Sequence, residues 1–383
     1  MIYQSFKRKE YKLRRKEQDK AFNLPLLPAS TIGSFPQHDE LRKIRKEYHM
    51  SLYSGGDKSA EEIYYNYIQE DIRKVIGLQE RLGLDVLVHG EAERDDMVTF
   101  FARKLKGFAT TGSGFVRSYG NRFYKPPIIH NKISRPSKMT VDLTSFAKSL
   151  TAKPVKGIIT GPMTIKNWSF SILENPYYGT EDILKQFEDS VYQIADAMRA
   201  EITDLESAGL NPIQIDEPAL FEKLGYFMEL SDDPLSAREK YLSLCINAFN
   251  LATSTVKPRT KVLMHMCYGS IKDIYPKILE SNADGYLLEL KNSSFEILPL
   301  FKEHQLGREI GYGVLDVHNP ATESVDDIIR DINTAIENFP IHDIWINPDC
   351  GLKTRTIEEA ESKLGNMMIA VKEARKSLAK RLS

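Results

Sequence analysis

Cysteine, one-sided charge and long apolar runs are all scarce in this chain of 383 residues. Three cysteines without paired spacing argue against a disulfide framework and for a reducing, cytoplasmic compartment. The 52 Lys and Arg nearly balance the 53 Asp and Glu, so the net charge of -1 indicates neither nucleic acid nor an anionic membrane as a partner. No apolar run approaches the roughly 18 residues of a membrane span.

The remaining composition is that of an ordinary globular protein, 42% hydrophobic and 27% charged, preceded by one unusual segment. Residues 1–23 contain eight Lys or Arg against three acids and no apolar core. A secretory signal is excluded because the hydrophobic stretch is missing. We interpret the segment as a basic N-terminal extension that forms a solvated or mobile helix, and an anion-binding arm is the alternative. Residues 24–383 then form a single domain.

Eight strand-like runs alternate with helical patterns through this domain. In the helical pattern at 182–208, apolar residues recur every three or four positions. Such alternation predicts a parallel sheet, and eight units predict an α/β fold closed into a (β/α)8 TIM barrel. An open doubly wound sheet is the alternative, but no G-x-G-x-x-G follows the first run. The runs are 27–35, 85–91, 156–161, 212–216, 261–267, 285–289, 310–317 and 344–350.

Residues 100–150 interrupt the alternation of strands and helices. They contain paired β-type runs separated by glycines, which predict a β-hairpin inserted after the second strand. Insertions after barrel strands lie on the face where active sites form, so this one would cover the site. Its Arg117, Arg122 and Lys125 suit an anionic ligand, and ordinary surface charges on a solvated hairpin are the alternative.

Polar side chains stand at or just beyond the carboxyl ends of the predicted strands. These ends converge on one face of a barrel, where active sites are built. We therefore expect one polar site at that face. The residues are Ser34, Glu91, Asp216, His265, Cys267, Glu289, His318 and Cys350.

Four of these residues have the chemistry of zinc ligands. His265 and Cys267 are two apart on one strand, so their side chains point to the same face. With Glu289 and Cys350 they offer two thiolates, an imidazole and a displaceable carboxylate, which predicts a tetrahedral Zn²⁺ site. Core packing is the alternative for a lone His-x-Cys, and it is our interpretation of Cys245, which lies within a helical pattern.

Eight stretches, taken in order, resemble the cobalamin-independent methionine synthase family. The resemblance covers about residues 27–375 and matches the C-terminal, catalytic barrel of that family. The stretches are T-I-G-S-F-P-Q (31–37), V-H-G-E-A-E-R-D-D-M-V (88–98), S-Y-G-N-R-F-Y-K-P-P-I (118–128), G-P-M-T-I-K-N-W-S-F (161–170), I-Q-I-D-E-P-A-L (213–220), H-M-C-Y (265–268), D-V-H-N-P (316–320) and N-P-D-C-G-L-K-T-R (347–355).

The resemblance implies transfer of a methyl group from 5-methyltetrahydrofolate to the sulfur of homocysteine, on zinc held by His265, Cys267, Glu289 and Cys350. A metal ion would ionise the thiol, which is only a few per cent thiolate when free. The resemblance also assigns residues to the amino-acid end of homocysteine. They are Ile32, Gly33, Ser34, Glu91 and Asp216. The simpler alternatives are an ion pair of Glu91 with Arg94 and a capping role for Asp216.

The resemblance further implies folate contacts at Arg122, Phe123, Trp168 and Glu222. His318 corresponds to the family's proton donor, a general acid for the leaving nitrogen, and Asp316 is expected to orient its ring.

Two departures leave the methyl donor open. Full-length members have a second, N-terminal barrel, and the family's Ser-Arg-Ser loop after the glutamate reads K-N-S-S here, at 291–294. A corrinoid or another methyl-carrier protein is therefore an alternative donor. A lyase resembling uroporphyrinogen decarboxylase and a non-catalytic zinc- or homocysteine-binding protein are the remaining alternatives.

Overall fold

A computed structural model describes residues 6–118, 122–174, 180–267 and 271–382. The helices are α1 Tyr11–Ala21, α2 Asp39–Tyr53, α3 Lys58–Leu82, α4 Thr99–Lys104, α5 Val141–Ser149, α6 Pro162–Asn167, α7 Thr180–Ser207, α8 Leu224–Glu229, α9 Pro234–Thr253, α10 Leu298–Glu303, α11 Val325–Asn338 and α12 Ile357–Leu382. The strands are β1 Lys106–Ala109, β2 Val116–Arg117, β3 Phe123–Tyr124, β4 Ile128–Ser134, β5 Gly157–Thr160, β6 Phe170–Ser171, β7 Ile213–Asp216, β8 Val262–Met266, β9 Gly285–Leu288, β10 Glu309–Leu315 and β11 Ile344–Pro348.

Six parallel strands and two bridged segments close into a ring of eight. The sheet order is β5-β7-β8-β9-β10-β11, with every pair parallel. The runs at 27–35 and 85–91 contribute only single bridges, which join Ala29 to Ile346, Ser30 to Val86 and Leu87 to Val155. These bridges link β11 to the segment just before β5. The predicted (β/α)8 barrel is therefore confirmed, although its first two strands are very short.

The barrel interior and the inner faces of its helices form one large apolar core. Each residue of β5, β8, β9, β10 and β11 is buried, as expected for parallel strands covered on both sides. Along α7, Phe187, Val191, Ile194 and Met198 are buried at the spacing that the sequence predicts for a helix. Cys245 is also buried in this core, as predicted. Within the described residues, no helix combines the length and apolarity that crossing a membrane requires.

The described part of the predicted basic N-terminal extension packs on the barrel through one face, while most of its side chains are exposed. Asp284, which is fully buried just before β9, is bound by Arg8 at 2.8 Å, by Arg14 at 2.7 Å and by Gln18 at 2.9 Å. A buried carboxylate is costly without such partners, and the extension supplies them. Helix α1 therefore closes the amino-terminal end of the barrel, opposite the predicted site. Residues 1–5 lie outside the described part of the chain.

The insertion between the second and third barrel units contains two antiparallel strand pairs. β1 pairs with β4, and the short β2 pairs with β3. β4 also runs parallel to β6, which follows α6, so the insertion is fastened to the next barrel unit. Residues 119–121 of the stretch that resembles the family lie outside the described residues. This arrangement brings Arg122, Phe123 and Tyr124 to the carboxyl-terminal face of the barrel.

Candidate active site

Three of the four predicted metal ligands meet at the carboxyl-terminal end of the barrel. Ligand atoms of His265, Cys267 and Cys350 all lie within 4.8 Å of one another, and all three residues are buried. Cys350 Sγ is 3.6 Å from His265 Nε2 and 3.5 Å from Cys267 Sγ. His265 Nδ1 lies 3.0 Å from the carbonyl oxygen of Leu287, so this nitrogen donates and Nε2 is left to face the thiols.

The spacing and charge of these three donors fit a metal ion with a preference for sulfur. Two thiolates on a tetrahedral zinc ion lie about 3.7 Å apart, close to the separation of Cys267 and Cys350. The hydrogen bond between Cys350 and Cys267 and the nearby Arg122 guanidinium hold the pKa of Cys350 well below its usual range. Burial and the neighbouring Cys350 raise the pKa of Cys267. The pKa values of the two thiols are thus shifted in opposite directions, and a cation between them would ionise both.

Glu289 stands beside this cluster with its carboxylate directed elsewhere. Its Oε1 accepts a hydrogen bond from Asn292 Nδ2 at 2.6 Å and lies 3.8 Å from His318 Nε2. His318 is held by its backbone, since its N–H donates to Asp316 Oδ1 at 2.8 Å. Asp316 therefore holds the main chain at His318, and its predicted role in orienting the imidazole ring stays a prediction.

Arg122 reaches from the insertion into the thiol cluster. Its Nη1 lies 3.2 Å from Cys350 Sγ, and its Nη2 donates to the carbonyl oxygen of Gly351 at 2.7 Å. A guanidinium beside a thiolate is a charge-assisted contact. Arg122 thus ties the insertion to the strand end that carries Cys350, a contact that the predicted folate role does not include.

Glu91 and the turn at 32–34 form one wall of the site. Glu91 has a φ of +59°, a left-handed conformation that non-glycine residues rarely adopt. A Cβ on Gly33 would lie 2.8 Å from Glu91 Oε1, so only glycine allows the turn to approach this carboxylate. Arg94 Nη1 donates to Glu91 Oε1 at 2.9 Å. The ion pair that the sequence left open is therefore present.

Asp216 ends β7 on the same side of the barrel. Its Oδ1 accepts from Gln214 Nε2 at 2.7 Å, and Gln214 Oε1 accepts in turn from Lys156 Nζ at 2.6 Å. Burial raises the pKa of Asp216 to about 6, while nearby His265 opposes the rise and Glu91 adds to it. A cationic ligand next to this carboxyl group would stabilise its ionised form.

Trp168 forms an aromatic platform with Tyr124 at the edge of the site. The two rings stack with centroids 4.7 Å apart, and Trp168 Nε1 donates to Glu222 Oε2 at 2.7 Å. Helix α6, which precedes Trp168, is anchored at its start by Glu217, whose carboxylate accepts from Thr164 N–H at 2.8 Å. One face of the indole is thus covered by Tyr124, and its N–H has a fixed partner.

A cavity of about 960 Å³ joins these groups, within the size range typical of ligand pockets. Most of the predicted site residues line it: Ile32, Gly33, Ser34, Glu91, Arg122, Phe123, Trp168, Asp216, His265, Cys267 and Cys350. Among the described residues, the lining does not include Glu222, Glu289 or His318. Glu222 contacts the lining residue Trp168, and Glu289 lies 3.8 Å from His318.

Sequence reasoning missed several groups that build the site. Asp349 is buried and accepts from the N–H groups of Leu290, Lys291 and Asn292 at 2.7–3.0 Å, which ties the Glu289 loop to the strand that ends at Cys350. Its position directly before Cys350 was the available signal. Tyr124 could have been found as the aromatic residue next to Phe123 in the quoted stretch.

Comparison with known proteins gives consistent matches over almost the whole chain. A model of the cobalamin-independent synthase catalytic domain matches residues 27–373. A 5-methyltetrahydropteroyltriglutamate–homocysteine methyltransferase of Thermotoga maritima is 45% identical over 373 residues, which cover 97% of this chain and 48% of that protein. A chloroplastic enzyme of the same name from Arabidopsis thaliana is 44% identical over 374 residues, covering 97% and 43%.

Solved structures share the fold at lower sequence identity. A B12-independent methionine synthase from a Shewanella species superposes with a TM-score of 0.72 at 21% identity, covering 93% of this chain and 99% of that one. A Listeria monocytogenes protein described as a putative enzyme of the same kind gives a TM-score of 0.65 at 20% identity. By contrast, this chain spans about half the length of the curated relatives it matches.

Proposed function

Because this chain belongs to the cobalamin-independent methionine synthase family and corresponds to its catalytic domain, we propose that it transfers a methyl group from 5-methyltetrahydrofolate to the thiol of homocysteine. The observation that carries the proposal is the convergence of two thiols, an imidazole and two carboxylates on one cavity. We assign the activity to residues 24–383, the barrel with its insertion. Zinc is the cofactor that this donor set favours.

His265, Cys267 and Cys350 would hold the zinc ion, and Glu289 would be a fourth, displaceable ligand. When bound, the metal supplies the positive charge that keeps the homocysteine thiol ionised and nucleophilic. Support for a displaceable Glu289 comes from its present partners, since its carboxylate already contacts Asn292 and lies near His318. Arg122 would balance the negative charge that three sulfurs bring together.

The amino-acid end of homocysteine is assigned to the opposite wall of the cavity. Asp216 and Glu91 would bind the ammonium, and the turn containing Ser34 would donate to the carboxylate. Arg94 already engages one oxygen of Glu91 and fixes its direction. Gln214 does the same for Asp216. Both carboxylates are therefore oriented before substrate arrives, which lowers the entropic cost of binding.

The methyl donor is assigned to the side of the cavity formed by Trp168 and Tyr124. Its pterin ring would pack against this aromatic platform, and Glu222 would keep the indole in place. The methyl group moves from N5 of the donor to sulfur, and the electron pair of the broken C–N bond takes a proton. His318 would supply that proton, because an unprotonated N5 is a poor leaving group.

A direct assay distinguishes the two classes of donor. The zinc-loaded chain is incubated with homocysteine and either 5-methyltetrahydrofolate with one glutamate or methylcobalamin, and methionine is quantified. We expect methionine from the folate donor and none from methylcobalamin. His318→Asn should reduce methyl transfer while leaving the affinity for homocysteine unchanged. Methionine from methylcobalamin alone would contradict the folate assignment.

A further inference from the structure

The loop that carries Glu91 depends on other parts of the chain for its shape. Residues 91–95, named here the Glu91 loop, form neither a helix nor a strand. Gly90 and Glu91 both have a positive φ, of +93° and +59°, and the side chain of Glu91 disfavours this conformation. The carbonyl groups of such a loop are not satisfied by a strand ladder, so they need donors from elsewhere.

Three side chains from distant positions hold the Glu91 loop by its carbonyl oxygens. Gln37 follows the first barrel strand, Arg45 lies on α2 and Lys353 follows β11. We name these three residues the loop clamp. Gln37 Nε2 donates to the carbonyl oxygens of Glu91 at 3.1 Å and Arg94 at 2.9 Å, Arg45 Nη2 donates to that of Ala92, and Lys353 Nζ donates to those of Arg94 at 3.2 Å and Asp95.

The residues of the loop clamp also fix one another. Arg45 Nη1 donates to Gln37 Oε1 at 3.1 Å, and the two residues are 5% and 6% exposed. Because its oxygen is engaged by Arg45, the amide of Gln37 turns its NH2 group toward the Glu91 loop. Lys353 shares the carbonyl oxygen of Arg94 with Gln37, so these contacts form one connected network.

The two cations of the loop clamp are not placed where they would contribute most to stability. Every described hydrogen bond of Arg45 and Lys353 goes to a neutral oxygen, of an amide or a backbone carbonyl. Burial, and then the nearby Arg45, lower the pKa of Lys353 to about 8, and burial also lowers the pKa of Arg45. Desolvated cations that bond only neutral groups are costly, and such departures from packing rules are expected at functional sites.

The loop clamp acts on the Glu91 carboxylate by two routes. The bond from Gln37 to the Glu91 carbonyl holds the backbone from which the side chain starts. Gln37 and Lys353 also hold the carbonyl of Arg94, whose Nη1 donates to Glu91 Oε1 at 2.9 Å. The carboxylate is therefore aimed before a ligand arrives, and these bonds do not involve the thiol cluster.

We infer that the loop clamp makes the site selective for the amino-acid end of homocysteine, an inference that rests on the proposed function. Gln37, Arg45 and Lys353 act as positioning residues for Glu91, the proposed partner of the substrate ammonium. A carboxylate already held in its binding direction loses little freedom when the ligand arrives, whereas a loosened loop would have to be ordered at a cost in affinity. The thiol end of the ligand should not sense the loop clamp.

A double-mutant cycle tests whether Gln37 acts through Glu91. The zinc-loaded parent, Gln37→Met, Glu91→Gln and the double variant are titrated with homocysteine by calorimetry. We expect Gln37→Met to weaken homocysteine binding roughly tenfold in the parent and by less than about twofold in Glu91→Gln, where no carboxylate is left to position. Equal weakening in both backgrounds would overturn the inference, because Gln37 would then contact the substrate directly or disturb the whole site.

Two further readouts separate positioning from a general loss of structure. Propanethiol, a simple alkyl thiol, should bind the parent and Gln37→Met with equal affinity, and both proteins should hold the same amount of zinc. Gln305→Met is the matched control, because Gln305 is exposed in the loop after α10, and it should bind homocysteine like the parent. Loss of propanethiol affinity or of zinc in Gln37→Met would overturn the inference.

Lys353→Met enters the same cycle from a different segment of the chain. It should also weaken homocysteine binding only while Glu91 is present, and it carries the test if circular dichroism shows Gln37→Met to be unfolded. Unfolding of both variants would assign the loop clamp to stability alone and overturn the inference. Unchanged homocysteine affinity in both folded variants would overturn it as well, with the proposed function intact. Failure of the parent to bind homocysteine would overturn the proposed function and the inference together.

Discussion

Asp216 illustrates how single residues are prepared for a ligand. Its carboxyl group has Gln214 as a fixed hydrogen-bond partner, and burial raises its pKa to about 6. Near neutral pH the group is therefore mostly ionised, but its ionised form is less stable than that of an exposed Asp. A substrate ammonium would stabilise the ionised carboxylate, so ammonium binding and ionisation of Asp216 favour each other.

Replacement of Asp216 by Asn should weaken homocysteine binding by about 1.5–3 kcal/mol, the range for a hydrogen bond to a charged group. The shape of the wall is kept, and only the charge is lost. Calorimetry with homocysteine measures the change, and a simple alkyl thiol should bind the parent and the variant equally. Asp232→Asn, at an exposed loop position, is the control. Unchanged homocysteine affinity in Asp216→Asn would rule out this residue as the ammonium partner.

Cys350→Ala should lose zinc while the barrel stays folded. The residue sits at the end of β11, at the site and outside the hydrogen-bonded ladder, so its loss removes a ligand without breaking a strand. Elemental analysis gives the zinc content, and circular dichroism reports the fold. Cys245→Ala is a matched control because this thiol is buried in the core away from the cluster. Equal zinc content in Cys350→Ala and the parent would refute the ligand set.

Sequence patterns were sufficient to find the three clustered donors and insufficient to find their surroundings. The side chains of a His-x-Cys pair at a strand end point to the same face. Cys350 ends another strand-like run, and all strand ends converge on one face of the barrel, so the proximity of the three donors could be predicted. The contact of Arg122 with Cys350 depends on how the insertion folds back, which no local pattern specifies. The partners of Glu289 depend in the same way on the Asp349 anchor of its loop.

Among the secondary-structure elements, α1 departs most from its predicted role. Its basic composition suggested a solvated helix, yet Arg14 and Gln18 are at most 4% exposed against Asp284. Charge counts cannot reveal a buried acid 270 residues away in the chain. The lengths of the first two barrel strands, at 27–35 and 85–91, were also overestimated. An apolar run predicts burial and not the length of the hydrogen-bonded ladder.

Arg14→Met should lower the free energy of unfolding by about 3 kcal/mol, since it leaves a buried carboxylate with fewer partners. Denaturant unfolding of the whole chain measures this change. Lys16→Met provides the matched control, because Lys16 is an exposed cation on the same helix and should shift stability by less than about 0.5 kcal/mol. Equal effects of the two substitutions would mean that α1 does not stabilise the barrel through Asp284.

At the scale of the whole molecule, Lys156 makes barrel stability depend on pH. It is 1% exposed inside the barrel, and burial lowers its pKa to about 7 while Asp216 and Glu91 oppose the shift. The unfolded chain keeps this proton up to about pH 10.5. Between these values the unfolded state binds more protons than the folded state, so this group makes stability rise as pH increases from 7 toward 10.5.

Lys156→Met should remove that rise. We expect the unfolding free energy of the parent to increase relative to that of the variant by about 1 kcal/mol per pH unit from pH 7 to 9. Urea unfolding of both proteins at pH 7, 8 and 9 measures it, and titrating groups that do not interact with Lys156 cancel in the difference. Parallel stability curves for the two proteins would show that Lys156 keeps its proton in the folded barrel.

X-ray absorption at the zinc edge is the most direct test of the proposed chemistry. The zinc-loaded chain is measured alone and with homocysteine, and the number of sulfur ligands is determined in each state. We predict two sulfurs from Cys267 and Cys350 in the free protein and three after homocysteine is added, with loss of the carboxylate oxygen of Glu289. An unchanged count of two sulfurs with saturating homocysteine would contradict thiol activation at this site.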